Sequence, residues 1–165
     1  ITCISDLENE DEVRKVILAL SQDIGHKLRV HGLSTRTVQI HVRGNDLFGS
    51  QCQCKLPIKT QLPSEIAAAA FRCFQERYTW NTKVRAVTVR AIELSPKSDA
   101  EQVSLFDNVQ QRIAKEKVQD AVEEIRGRFG KAAVTYASLL GDLKMPADGR
   151  DKVIMPGIMP GIMYQ

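Results

Sequence analysis

The sequence predicts an α+β fold: a four-stranded, mostly antiparallel sheet with two helices on one face, in the order β-α-β-β-α-β, followed by a helical C-terminal extension. Three observations lead there. Thr37–Arg43 and Gln51–Leu56 alternate strictly between apolar and polar residues, the period of a half-buried strand. The stretches after Asp11 and after Pro63 repeat their apolar residues at steps of three and four, the period of an amphipathic helix. Turn-forming residues separate these stretches, with Gly32 after the first helix and Gly44-Asn45-Asp46 and Gly49 between the two alternating runs.

Taken in order, Ile1 to Ser5 is short and alternating, as a strand end is. Asn9 and Asp11 offer N-cap side chains, and acids fill the first turn, where the helix dipole favours them. Val13, Ile17, Leu20, Ile24 and Leu28 then draw one apolar stripe along a helix of about 18 residues, closed at Gly32, with Arg29 and His31 suited to its C-terminus. In the next strand Val38, Ile40 and Val42 face one way and Gln39, His41 and Arg43 the other; Cys52, Cys54 and Leu56 join the first face, Gln51, Gln53 and Lys55 the second. Pro63-Ser64-Glu65 opens an alanine-rich helix that reaches about Tyr78, with Ile66, Ala70, Cys73, Phe74 and Tyr78 on its core side. The last strand, Val84 to Leu94, turns Val87, Val89 and Ala91 inward and Thr88, Arg90 and Ile92 outward.

Ser95 to Ala100 has the composition of a linker. Beyond it Asn108 to Arg128 is highly charged, with Val109, Ile113, Ala121, Val122, Ile125 and Phe129 giving a helix of modest amphipathicity, and Lys131 to Leu143 adds a short helix or strand. The tail carries Met-Pro-Gly-Ile in tandem from Met155 to Ile162, and its prolines and glycines predict an irregular or disordered arm.

A chain of 165 residues is sized for one domain, or one domain with an appendage. No apolar run approaches the roughly 18–20 residues that span a bilayer, so no membrane role is expected. With no basic-then-apolar leader and a start at Ile1, the sequence reads as a cytoplasmic fragment of a longer protein. Cys3, Cys52, Cys54 and Cys73 fall at no disulfide spacing and read as reduced, mostly buried thiols. Charge is placed unevenly. Val13 to Lys97 holds fourteen Lys and Arg against five Asp and Glu, whereas the first twelve residues hold five acids and no base. A basic middle of this kind predicts a surface that faces a polyanion.

The sheet face away from the helices is where that surface falls. It carries Gln39, His41, Arg43, Gln51, Gln53, Lys55, Thr88 and Arg90, with Arg85 at its margin, and no acid in the alternating runs points to it. A zinc site at Cys52-x-Cys54 is not expected, because residues two apart in a strand share a face, His41 points the other way, and no second ligand pair completes a tetrahedron. Nothing marks a nucleophilic cysteine with a base. The rival to polyanion binding is a ferredoxin-like protein-interaction or regulatory module without nucleic-acid binding. Such an interface is expected to be apolar at its centre, and this face is basic and rich in amides.

Four stretches, in this order, resemble the C-terminal part of bacterial Y-family lesion-bypass DNA polymerases of the ImpB/MucB/SamB and DinB groups. They are Glu12-Val13-Arg14-Lys15-Val16-Ile17-Leu18-Ala19-Leu20, Leu56-Pro57-Ile58-Lys59-Thr60, Val84-Arg85-Ala86-Val87-Thr88-Val89-Arg90-Ala91 and Glu124-Ile125-Arg126-Gly127-Arg128-Phe129-Gly130. Gln102-Val103-Ser104-Leu105-Phe106 matches the Gln-x-x-Leu-Phe pentapeptide of that family. The resemblance implies a little-finger domain over residues 1–97, a linker with a clamp-binding pentapeptide over 98–107, a helical extension over 108–145 and an irregular tail over 146–165.

It also implies partners: duplex primer–template DNA on the open sheet, the bacterial sliding clamp on the pentapeptide, and the remaining polymerase domains of a parent chain. Arg43, Lys55, Arg85 and Arg90 would hold phosphates, with Gln39, His41, Gln51, Gln53 and Thr88 as neutral donors. The family's palm carboxylates and their Mg²⁺ lie outside this sequence, so no cofactor and no catalysis are expected of the fragment itself.

Overall fold

The structure, a computed structural model, describes residues 1–98, 109–141 and 143–146. Its elements are β1 (Thr2–Leu7), α1 (Glu10–Val30), β2 (Leu33–Gly44), β3 (Gly49–Thr60), α2 (Pro63–Arg77), β4 (Val84–Pro96) and α3 (Val109–Phe129), with single 3₁₀ turns at Lys131–Ala133 and Ala137–Leu139. The predicted alternation sets the sheet. The four strands lie in the order β1-β4-β2-β3, and every neighbouring pair is antiparallel. Both βαβ units are therefore split: β4 lies between β1 and β2, and β2 between β3 and β4.

The helices form where the apolar repeats place them. Asn9 caps α1 by accepting the Glu12 N–H at 2.9 Å, and Glu10, Asp11 and Glu12 occupy the first turn. Val13, Val16, Ile17 and Leu20 of α1 and Ile66, Ala70, Cys73 and Phe74 of α2 meet Val38, Ile40, Val42 and Val87 of the sheet in one core. Ile24 and Tyr78 are only half-buried at its rim. The start of α2 crowds α1 at Gly25, where a Cβ would stand 2.7 Å from Pro63 Cγ and 2.9 Å from the Gln61 carbonyl oxygen. Buried Gln61 ties the same corner, its Nε2 donating to the carbonyls of Leu28 at 3.3 Å and Leu33 at 2.6 Å.

Three local departures from strict alternation matter later. The β2–β4 register shifts between Arg43 and Gly44, which pair with Ala86 and Val84 and leave Arg85 in a bulge. The β2–β3 register shifts between Thr35 and Thr37, which pair with Thr60 and Lys55. Glu93 has φ +51°, in the left-handed region. At the other end of the chain, β4 runs on through Ser95 and Pro96, which pair with Ser34 and Leu33, so the strand takes up the start of the predicted linker.

Helix α3 forms over the predicted span but docks in reverse. Its polar side meets the domain: Asp120 receives Arg29 Nη1 at 2.5 Å, Glu123 contacts His26 Nδ1 at 2.7 Å, and Arg126 Nη2 donates to Gln22 Oε1 at 2.6 Å. Its apolar residues Ile113, Val118, Ile125 and Phe129 are left exposed. The chain then returns across α1, and the Lys144 carbonyl accepts the Ile4 N–H at 2.8 Å while Lys144 Nζ reaches Glu12 at 2.7 Å, which covers part of the β1 edge. The predicted pentapeptide at 102–106 and the repeat tail lie outside the described residues. Among the described residues no helix is long and apolar enough to cross a membrane.

Phe74 sits at the centre of the helical layer, 1% exposed, stacked on Tyr78 at 5.0 Å between ring centroids and met edge-on by Trp80 at 5.8 Å. Phe74→Ala is expected to cost about 3–5 kcal/mol, because the lost burial is compounded by a cavity that neighbouring rings fill poorly. Urea unfolding followed by Trp80 fluorescence measures it; a loss under about 1 kcal/mol would mean that the cluster does not hold α2 in place.

Candidate nucleic-acid interface

The open sheet face is a grid fixed by register. Lys55, Thr37 and Ile92 lie side by side on β3, β2 and β4; Gln53, Gln39 and Arg90 form the next row; Gln51, His41 and Thr88 the next; Gly49, Arg43 and Ala86 the last. All of the predicted face residues except Arg85 fall in this grid, and α1 and α2 pack against the opposite face. Because successive side chains on a strand stand about 7 Å apart on one face, the rows offer polar groups at near-regular intervals along β2.

Within the grid the side chains differ in how firmly they are held. Gln51, Gln53, Lys55 and Arg90 are exposed, whereas Gln39, His41, Arg43 and Thr88 are half-buried between the strands. Arg90 Nη1 donates to Gln39 Oε1 at 3.4 Å, so the amide steadies the guanidinium without neutralising it. The His41 ring lies across Gly49 on the neighbouring strand, where a Cβ would stand 2.6 Å from Nε2. Glycine at that position lets the imidazole lie down on the sheet. Arg43 Nε is buried with no partner among the described residues.

Two features correct the sequence-based picture. Arg85 sits in the bulge, and its Nη1 is held by Asp6 Oδ1 at 3.0 Å, so its charge is already paired. Glu93 brings an acid to the face that alternation had left free of acids, its Oε2 accepting from Thr37 Oγ1 at 2.5 Å. An acid at an inward-parity position of β4 was the signal that alternation fails there; the Asp6–Arg85 pair joins residues far apart in sequence and left no such signal. The remaining grid is still dominated by donors, with Arg43, Lys55 and Arg90 uncompensated by any ion pair within it. Chemically, such a surface can hold a row of anionic oxygens by charge and hydrogen bonding.

Residues 1–105 match the impB/mucB/samB family C-terminal domain. The chain belongs to that family. The sequence resemblance to the C-terminal part of the Y-family polymerases therefore holds. A DNA polymerase IV of Acetivibrio thermocellus is 37% identical over 142 residues, covering 86% of this chain and 36% of the relative. DNA polymerase IV 2 of Bacillus subtilis is 30% identical over 145 residues, covering 85% of this chain and 34% of the relative. The chain thus spans about a third of the length of these impB/mucB/samB relatives. Among solved structures, the little finger domain of a PolIV in complex with the beta-clamp processivity factor is 14% identical and superposes with a TM-score of 0.45, over 66% of this chain and 93% of that one.

The thiols lie on the other side of the sheet. Cys52 Sγ donates to the Cys73 carbonyl at 3.2 Å and Cys54 Sγ to the Ala69 carbonyl at 3.4 Å, which places both against α2 as alternation predicted. Cys73 brings a third thiol to them, yet among the described residues no group of three or more His, Cys, Asp or Glu is placed to hold a metal ion. Burial, reinforced by the neighbouring Cys52 thiol, pushes Cys73 up to about 12, and burial raises Cys3 and Cys54 as well. The thiolate is the reactive form, so Cys73 is expected to resist iodoacetamide at pH 8 in the folded chain and to react at an ordinary rate in urea. Mass-spectrometric counting of alkylated sites over time tests this; rapid labelling of Cys73 in the native chain would show that the β3–α2 seam opens.

Proposed function

We propose that this chain is the DNA-holding, clamp-tethering C-terminal portion of a translesion DNA polymerase, and that its open sheet lies along primer–template duplex. The observation that carries the reading is the donor-dominated grid on β3, β2 and β4, in which Glu93 is the one acid found and Arg43, Lys55 and Arg90 have no ion pair among the described residues. Family membership and relatives named DNA polymerase IV support it. In this reading Arg43, Lys55 and Arg90 hold phosphate oxygens, with Gln39, His41, Gln51, Gln53 and Thr88 as neutral donors. Arg85, engaged by Asp6, contributes only by exchanging partners. The contacts are to backbone phosphates, so binding is tolerant of sequence and sensitive to salt. The polymerase chemistry and its Mg²⁺ belong to a part of the parent protein outside this chain, and the sheet serves by positioning the duplex.

Arg43→Ala with Arg90→Ala should weaken binding of labelled primer–template duplex and lower the slope of log affinity against log salt by about 2, one for each lost phosphate contact. Fluorescence anisotropy over a salt series reads both quantities. Unchanged affinity in a chain that still melts cooperatively would remove the sheet from the DNA interface.

Clamp tethering rests on the sequence Gln102-Val103-Ser104-Leu105-Phe106. A short extended peptide of this kind seats its Leu and Phe in an apolar pocket while the glutamine amide fixes its register. Leu105→Ala with Phe106→Ala should abolish binding to a bacterial sliding clamp, measured by surface plasmon resonance, and leave duplex affinity unchanged. Retained clamp binding would assign the tether elsewhere.

A further inference from the structure

Helix α3 is amphipathic the wrong way round. A surface helix ordinarily turns its apolar stripe to the core and its charges to water. Here Arg112, Glu116, Asp120, Glu123 and Arg126, spaced at three and four, face the domain and contact Glu65, Lys97, Arg29, His26 and Gln22 in turn. The opposite side carries Ala114, Val118, Ala121, Ile125 and Phe129, with Val118 65% and Phe129 75% exposed. Docked in this way, the helix leaves Val118 and Phe129 mostly in water and Ile113 and Ile125 partly so, while its inner side buries Arg29 Nε and Nη2 without a partner among the described residues. The exposed apolar side calls for a partner on the outer face.

We propose that this outer face is the contact through which two copies of the chain pair, with α3 antiparallel to α3 across a two-fold axis. Three observations select a second copy. Ala114, Val118, Ala121 and Ile125 follow one another at steps of four, three and four, the 3.5-residue period of a helix–helix seam. Alanines at alternate seam positions let two helix backbones approach closely. The charges beside the seam are self-complementary, as a two-fold interface requires. With the axis between Gln119 and Asp120, Ala114 meets Ile125 and Val118 meets Ala121 of the other copy, Lys117 of one copy comes within reach of Glu124 of the other, and the same pair recurs on the far side. Among the described residues of a single chain, Glu124 pairs with Arg128, an exposed contact one turn away. A helix of 21 residues is about 30 Å long, and one such contact sits at the small end of specific interfaces. The dimer is accordingly weak, forming at micromolar concentrations.

Sedimentation equilibrium of the full 165-residue chain from about 1 to about 200 μM tests this. The expected result is a reversible monomer–dimer equilibrium. Val118→Glu with Ile125→Glu should weaken it by at least about tenfold. Val118 is 65% exposed, so Val118→Glu alone should leave the thermal melt by circular dichroism unmoved at concentrations where the chain is monomeric. Lys117→Glu alone should also weaken the dimer, and Lys117→Glu with Glu124→Lys in one chain should restore it, since the swap rebuilds both pairs in reverse. The charge swap decides the matter even if the glutamates at the seam perturb the helix. A monomer at every concentration would overturn the proposal, and so would a dimer indifferent to these changes. A full chain that stays monomeric while one ending at Pro146 dimerises would overturn it too, assigning the face to the chain's own residues 147–165.

Discussion

Pairing of β2 with both β3 and β4 is the constraint on which the rest of the molecule depends. Because side chains alternate along a strand, that double pairing sorts Val38, Ile40 and Val42 to the helices and Gln39, His41 and Arg43 to the open side, and it aligns like with like on the flanking strands. A slip of one residue would bury Arg43 and His41 beneath α1 and α2 and expose the valines. The cost of that exchange is what pins the register, so the same hydrophobic burial that stabilises the fold also aims the polar grid. Core and candidate interface are two sides of one decision made along β2.

This is also why so much of the molecule was legible in the sequence. Period-two and period-3.6 patterns are statements about burial, and burial decides where helices sit and which sheet face is left open. The inward and outward parity of the strands, the Asn9 cap and the core side of α2 all followed from such local patterns, whereas β2, β3 and β4 run several residues beyond the alternating stretches. What escaped was set by contacts between distant residues. Asp6 finds Arg85 only because β1 lies beside β4, and Gly25 must be small only because Pro63 arrives there from another element. Glu93 escaped for a different reason: its left-handed backbone conformation breaks the alternation that would otherwise have hidden it.

Helix α3 shows the limit of pattern reading most clearly. Its periodicity announces an apolar side but not what that side faces. In the structure, ion pairs with α1, α2 and the end of β4 hold the polar side to the domain. Contacts of this sort are individually worth little where water reaches them, and salt screens them further. Arg29 is the exception, because its side chain is largely covered and two of its three nitrogens go without a partner among the described residues. The seat of α3 is therefore shallow in energy compared with the valine-lined seam between sheet and helices.

That asymmetry orders the parts by rigidity. The face that would meet duplex is built on β2 and the two strands hydrogen-bonded to it, so its donors are presented at fixed spacing, with little entropy left to lose on binding. The helix that follows is joined through residues 99–108, which contain the Gln-x-x-Leu-Phe sequence, and is held by screened charges. In the proposed function the tether has to adjust its direction while the part that grips duplex stays still. An ionic rather than apolar seat for α3 meets that requirement and leaves the helix's apolar side free to be satisfied by another surface. Had the same residues been turned inward, α3 would have become a third core helix, and the segment before it would have been anchored at both ends by apolar packing.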